Sequence, residues 1–161
     1  MSVATTVARL RDLALSLPRQ DCDWEERPQF DSPTPWPQIL ELAKYLGFNL
    51  PADFLDFLLE TSAVVGMTVH NGYWIGGIDQ MMHTYDNPQI PQQVQSERVG
   101  VIGTDGGGNA FLLAANGQIW HWHHETNRVE LVAESFGGFL DRIAEDWAAY
   151  ISEIQGWRYL V

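Results

Sequence analysis

Three consecutive glycines, Gly106-Gly107-Gly108, stand between apolar runs in VIGTDGGGNAFLL, residues 101–113. A glycine-rich turn of this kind could aim backbone amides at an anion. A phosphate loop of the Walker type also needs a Gly-Lys-Ser/Thr ending, so that a lysine meets the terminal phosphates and a hydroxyl meets magnesium. Here Gly108 is followed by Asn109 and Ala110. A dinucleotide fingerprint needs a helix after the glycines, and these lead into a β-type run. The triplet therefore reads as a tight connection between strands, where positive φ or close backbone packing favours glycine.

WHWHH, residues 120–124, is the second chemical candidate. On a strand, alternate residues share a face, so His121 and His123 could offer two imidazoles to one metal while Trp120 and Trp122 point the other way. Further ligands would have to come from donors such as Asp105, His83 or His70, which spacing does not place. The alternative is a solvated histidine face opposite a tryptophan-rich core face, with no metal.

Nucleophilic chemistry has less support. Cys22 lies in an acidic, proline-rich stretch without a neighbouring histidine, and no Gly-x-Ser-x-Gly elbow is present. The carboxylate pairs Glu25-Glu26 and Glu145-Asp146 are sequence neighbours, which point in different directions on a helix and so read as solvated surface. The chain is expected to be no enzyme and to hold no cofactor.

These groups must be carried by regular elements. Val3, Val7, Leu10, Ala14 and Leu17 repeat at spacings of four and three, predicting an amphipathic helix that Pro18 ends. Residues 18–37 are proline-punctuated loop. Trp36, Ile39, Leu40, Ala43 and Leu46 predict a second helix closed by Gly47, and Pro51 and Asp53 open a third with Phe54, Leu55 and Leu58 on its apolar face. From residue 64 the period shortens. VVGMTVH and YWI flank Asn71-Gly72, the preferred pair for a two-residue hairpin turn. GIDQMMHTYDN suggests a short helix and PQIPQQVQ a loop. RVGVIG is a strand, NAFLLAA is apolar on both faces and central, Asn116-Gly117 turns into QIWHWH, and Val129 to Ala133 form the next strand. Ser135 caps a closing helix carrying Phe136, Phe139, Leu140, Ile143, Trp147 and Ile151 on one face. The fold class is α+β, with a central, mainly antiparallel sheet flanked by helices, in one domain spanning 1–161.

The balance of 9 basic against 21 acidic residues leaves a net charge of −12. Lys44 is the single lysine beside eight arginines. Such a field repels nucleic-acid phosphates and anionic membranes and attracts basic partners. With 161 residues, 45% of them hydrophobic, the chain can bury about two thirds of its unfolded surface in a real core. One cysteine forms no internal disulfide, so the cytoplasm is the expected compartment. Arg9, Arg11 and Asp12 interrupt the amino-terminal pattern, which reads as neither signal peptide nor membrane span. Of the aromatics, Trp74, Trp120, Trp122 and Trp157 are not all absorbed by helix stripes. Tryptophan is favoured as a partner anchor, although at least two of these are expected to fill the sheet's core face.

The chain resembles the SUKH superfamily, of the Smi/Knr type, through LGFNLPADFLDFLLE (46–60), VGVIGTDGGGNAFLLAANGQIWHWHHET (99–126) and VAESFGGFLDRI (132–143). The likeness extends over about residues 36–151; the 35 residues before Trp36, a helix and a proline-rich loop, have no counterpart, and TSAVVGMT is inserted before Asn71-Gly72. It implies an α+β fold with an antiparallel sheet, and it places Ile102, Gly103, Asp105, Gly108 and Asn109 on a structural or partner-facing motif. Many bacterial members are similar to immunity proteins that neutralise a toxin, often a nuclease; fungal relatives are regulatory scaffolds. The resulting expectation is a non-catalytic domain that binds a basic toxin through Asp105, Asn109, Trp120 and Trp122, with Gly103, Gly106, Gly107 and Gly108 shaping the main chain. The alternatives are a metal-dependent enzyme using His121 and His123, or a scaffold with no toxin partner.

Overall fold

A computed structural model describes residues 1–17, 27–78, 81–82 and 87–161. Among the described residues the elements run α1 (Val3–Ser16), β1 (Gln29–Phe30), α2 (Trp36–Leu46), α3 (Ala52–Glu60), β2 (Ala63–Gly66), β3 (Tyr73–Gly76), β4 (Gln93–Val94), β5 (Glu97–Asp105), β6 (Ala110–Ala114), β7 (Ile119–His123), β8 (Arg128–Ala133) and α4 (Phe136–Ile151). Cys22, Glu25, Glu26 and His83 lie outside the described residues.

Local chemistry sets the helix ends. Ser2 accepts a hydrogen bond from the Thr5 amide at 3.2 Å and starts α1, while Gly47 closes α2 in the left-handed conformation at φ +76°. The Ser135 hydroxyl accepts from the Gly138 amide at 3.1 Å and caps α4. Asp53 serves two helices. It sits in the acidic-favouring first turn of α3, and its Oδ2 accepts from the Gly137 amide at 2.8 Å, tying α3 to the amino end of α4.

The sheet has eight strands in the order β1-β2-β3-β5-β6-β7-β8, with β4 folded onto β5, and each pairing is antiparallel. On one face Ile75, Ile102, Phe111, Leu113 and Ile119 pack in a cluster with Leu10, Leu42, Phe54, Phe139 and Trp147 from the four helices. Burying each such side chain stabilises the fold by about 1.5–3 kcal/mol. The opposite face carries a second cluster of Val99, Val101, Ala110, Leu112, Ala114, Trp120 and Trp122, against which Ile90 and Val94 pack. Two buried faces explain why β6 is apolar throughout.

The connection between β2 and β3 differs from the expected two-residue turn. It spans residues 67–72, with His70 and Gly72 rather than the Asn71-Gly72 pair at positive φ. Val69 is fully buried in the main core, and turning it inward lengthens the loop. In PQIPQQVQ, Gln93 and Val94 pair with β5 across Gln95 and Ser96, both left-handed at φ +49° and +69°. Of the expected short helix after β3, the Met81 amide bonds to the Gly77 carbonyl at 2.8 Å; residues 79–80 and 83–86 lie outside the described residues.

Candidate functional site

The three glycines join β5 to β6, and each answers a different demand. A Cβ on Gly106 would stand 1.9 Å from the Asn71 carbonyl oxygen, an impossible approach to backbone. Gly108 has φ +83°, while Gly107 lies in the curl of the turn with ordinary φ. Gly103, within β5, lets the Trp74 carbonyl come close, since a Cβ there would lie 2.5 Å from it. The loop leads into β6 and not into a helix, so the strand-turn-helix geometry of a dinucleotide site does not form here.

Asp105 organises this turn. Its Oδ1 accepts from the amides of Gly107 at 2.8 Å and Asn109 at 3.0 Å. Its Oδ2 accepts from Asn109 Nδ2 at 2.9 Å and lies 3.1 Å from His121 Nε2. Burial raises the carboxyl pKa, but the hydrogen bonds from His121, Asn109 and the two amides outweigh it and hold it down to about 2. The ionised carboxylate only accepts, so His121 carries its proton on Nε2. Asn109 passes the connection on: its Oδ1 accepts from the His124 amide at 3.1 Å and meets His124 Nδ1 at 3.0 Å. The glycine turn and the β7-β8 turn are thereby tied into one exposed knuckle, with Gly106, Gly107, Gly108, His124 and Glu125 at its surface.

Of the four tryptophans outside the helix stripes, at least two are expected on a core face of the sheet, and the two on β7 lie there. Trp120 and Trp122 are 6% and 1% exposed and fill the second core. Trp122 Nε1 donates to Asn127 Oδ1 at 2.8 Å, fixing the β7-β8 turn from beneath. Trp74, like Trp157, is partly exposed, and the far edge of its indole lies beside Gly72 and Gly106: a Cβ on either would come within 2.7 Å and 3.6 Å of the ring. The aromatic beside the glycine turn is therefore Trp74 of β3.

His121 and His123 share a strand face, with ring centroids 4.4 Å apart. That face is not solvated as expected, because His121 is buried and its ring stacks on Phe111 at 4.6 Å. His121 Nε2 is engaged with Asp105, and His123 Nε2 comes within 3.7 Å of Glu130. His70 stacks on Tyr159 instead. Among the described residues, no three His, Cys, Asp or Glu side chains group as a metal-ligand set.

Residues 37–142, from the start of α2 into α4 and with the whole Asp105 turn inside them, match the model of the SMI1 / KNR4 family (SUKH-1). The chain belongs to this SUKH-1 family. No curated protein matches it. The matched span leaves α1 outside, yet Val3, Val7, Leu10 and Ala14 join the same core as the SUKH elements. It also leaves out the carboxyl-terminal tail, which a buried group holds.

That group is Asp146, and it corrects the reading of Glu145-Asp146 as solvated surface. Glu145 is exposed, but Asp146 is fully buried on the apolar side of α4. Its carboxylate accepts from Tyr73 Oη at 2.6 Å, Trp157 Nε1 at 2.8 Å and the Leu160 amide at 2.8 Å, and Arg142 lies 3.4 Å away. Burial, with the bond to Asp146, pushes the Tyr73 hydroxyl pKa well up. The sequence carried a signal for this, since Asp146 follows Phe139 by seven residues and Ile143 by three, on the helix's core stripe.

Proposed function

We propose that this SUKH-1 chain is a non-catalytic protein-binding domain, an immunity protein that neutralises a basic toxin, with a nuclease as the expected target, in the cytoplasm of a bacterium. Family membership is compatible with such a role. The observation that carries the reading is how the family motif is used. Asp105, Asn109 and the glycines direct their hydrogen-bonding capacity and their conformational freedom into one rigid turn. That is how a surface is preorganised for a partner. A net charge of −12 speeds encounter with a basic protein and repels nucleic acid. Among the described residues no helix is long and apolar enough to cross a membrane.

The partner-facing element is the knuckle shaped by Asp105 and Asn109, with Trp120 and Trp122 supporting it from the second core and Trp74 at its flank. We read residues 1–161 as one domain, because α1 packs into the same core as the matched elements. The test is co-expression with the toxin domain encoded beside this gene. Cells carrying both are expected to grow, and cells carrying the toxin domain alone are expected to die. Equal killing with and without this chain would reject the reading.

A further inference from the structure

Beside Trp74 a cleft of about 340 Å³ is lined by residues that include Asp31, Gln38, Ser62, Val65, Trp74 and Ile78. That volume lies at the lower end of the roughly 300–1,000 Å³ usual for small-ligand sites. Its walls divide by chemistry. Val65 and Trp74 face each other across the β2-β3 pair and supply an apolar, aromatic side, while Asp31, Gln38 and Ser62 supply a carboxylate, an amide and a hydroxyl. The main chain of Asp31 is fixed: its amide donates to the Ala63 carbonyl at 3.1 Å, and its carbonyl accepts from Thr61 Oγ1 at 2.7 Å. Among the described residues its carboxylate has no partner, nor do the side chains of Gln38 and Ser62.

We infer that this cleft is a receptor for an arginine side chain of the basic partner. A cation is favoured by the free carboxylate and by the negative field of the whole chain. Arginine fits better than lysine, because a planar guanidinium stacks on an indole face while its five N–H groups reach a carboxylate, an amide oxygen and a hydroxyl together. Trp74 lines the cleft, and the outer edge of its indole lies beside Gly72 and Gly106. Cleft and knuckle therefore form one continuous surface. The inference rests on the protein-binding reading and adds to it a specific anchor and the side chain it receives.

The test needs no toxin. Uniformly ¹⁵N-labelled protein is titrated with the capped peptide acetyl-Gly-Arg-Gly-amide, following the Trp74 indole N–H signal, assigned by its loss in Trp74→Phe. Saturable shifts of that signal and of the Asp31, Ser62 and Gly77 amides are expected, with a dissociation constant of about 1–10 mM. Asp31→Asn is expected to weaken binding about tenfold, the lysine peptide to bind several-fold more weakly, and the uncharged citrulline peptide not to saturate. Because Asp31 is exposed, Asp31→Asn leaves the core intact; Gln38→Ala, equally exposed, is a second variant expected to weaken binding. Unsaturated shifts, equal binding of the citrulline or lysine peptide, or indifference to both substitutions would overturn the inference. If the peptide binds as expected but the toxin still kills cells that carry this chain, the immunity reading fails and the cleft stands. If cells are protected but the peptide does not bind, the cleft alone fails.

Discussion

Asp105 and His121, 16 residues apart in sequence and on different strands, meet at 3.1 Å inside the sheet. This contact, with the three donors that Asn109 and Gly107 add, fixes the exposed knuckle that we assign to partner binding. It also makes the knuckle sensitive to acid.

The Asp105 carboxyl drops from an ordinary value of 3.8 to about 2 in the folded chain. A depressed folded-state pKa contributes stability that is complete above the unfolded value and is lost as pH falls through the folded one. The contribution is about 2 kcal/mol at neutral pH and fades between about pH 4 and pH 2. Asp105→Asn is therefore expected to be less stable than the parent by about 2 kcal/mol near pH 7. The gap should close on acidification. Urea midpoints measured for both proteins from pH 6 to pH 2 check this; parallel curves would contradict it.

The glycines should rank by the demand each meets. Gly106→Ala drives a methyl group into the Asn71 carbonyl and is expected to cost about 2–4 kcal/mol, as for other overpacked or strained sites. Gly108→Ala keeps its space but holds alanine at φ +83°, costing about 1 kcal/mol. Gly107→Ala meets only the side chains of Asn109 and Asp105 at 3.3 Å and should cost the least. Thermal melts of the three variants give the order directly, and a flat series would show that the turn is not packed as described.

Asp146 anchors the tail. Asp146→Ala leaves Tyr73 Oη, Trp157 Nε1 and the Leu160 amide without their acceptor, and is expected to cost about 3–5 kcal/mol. Asp146→Asn, which keeps one acceptor oxygen, should cost less. Limited proteolysis is expected to cut residues 152–161 from the alanine variant at a concentration of protease that spares the parent. An equally resistant tail would count against the anchor.

Much of this architecture is legible in the sequence. The helix stripes of α1 and α4, the caps at Gly47 and Ser135 and the double-sided apolarity of β6 each rest on local chemistry, and local chemistry is what a sequence displays; on α2 the expected stripe differs, since Trp36 and Leu40 are exposed and Leu42 is buried instead. The β2-β3 turn departs from the Asn71-Gly72 expectation because that pair states only a preference, and burying Val69 in the core outweighs it. Trp120 and Trp122 take the core position expected of two tryptophans, but alternation does not say which two. A tryptophan on a strand is an anchor or a core residue according to what covers it, and the cover, from Ile90 and Val94, lies about 30 residues upstream. The Asp105 hub could be seen as a turn residue, but its partner His121 belongs to the next hairpin. Alternation placed His121 on one face of β7 without saying that the face is buried.

On the proposed function this chain acts by occupying its partner, without turnover. The most direct test is a titration of the neighbouring toxin domain's activity with increasing amounts of this protein at a toxin concentration well above the dissociation constant. A binding module is expected to abolish activity linearly, with an endpoint at one chain per toxin. Complete loss of toxin activity at a small fraction of one equivalent, deepening with incubation time, would mean that the protein destroys its target catalytically and would contradict the claim.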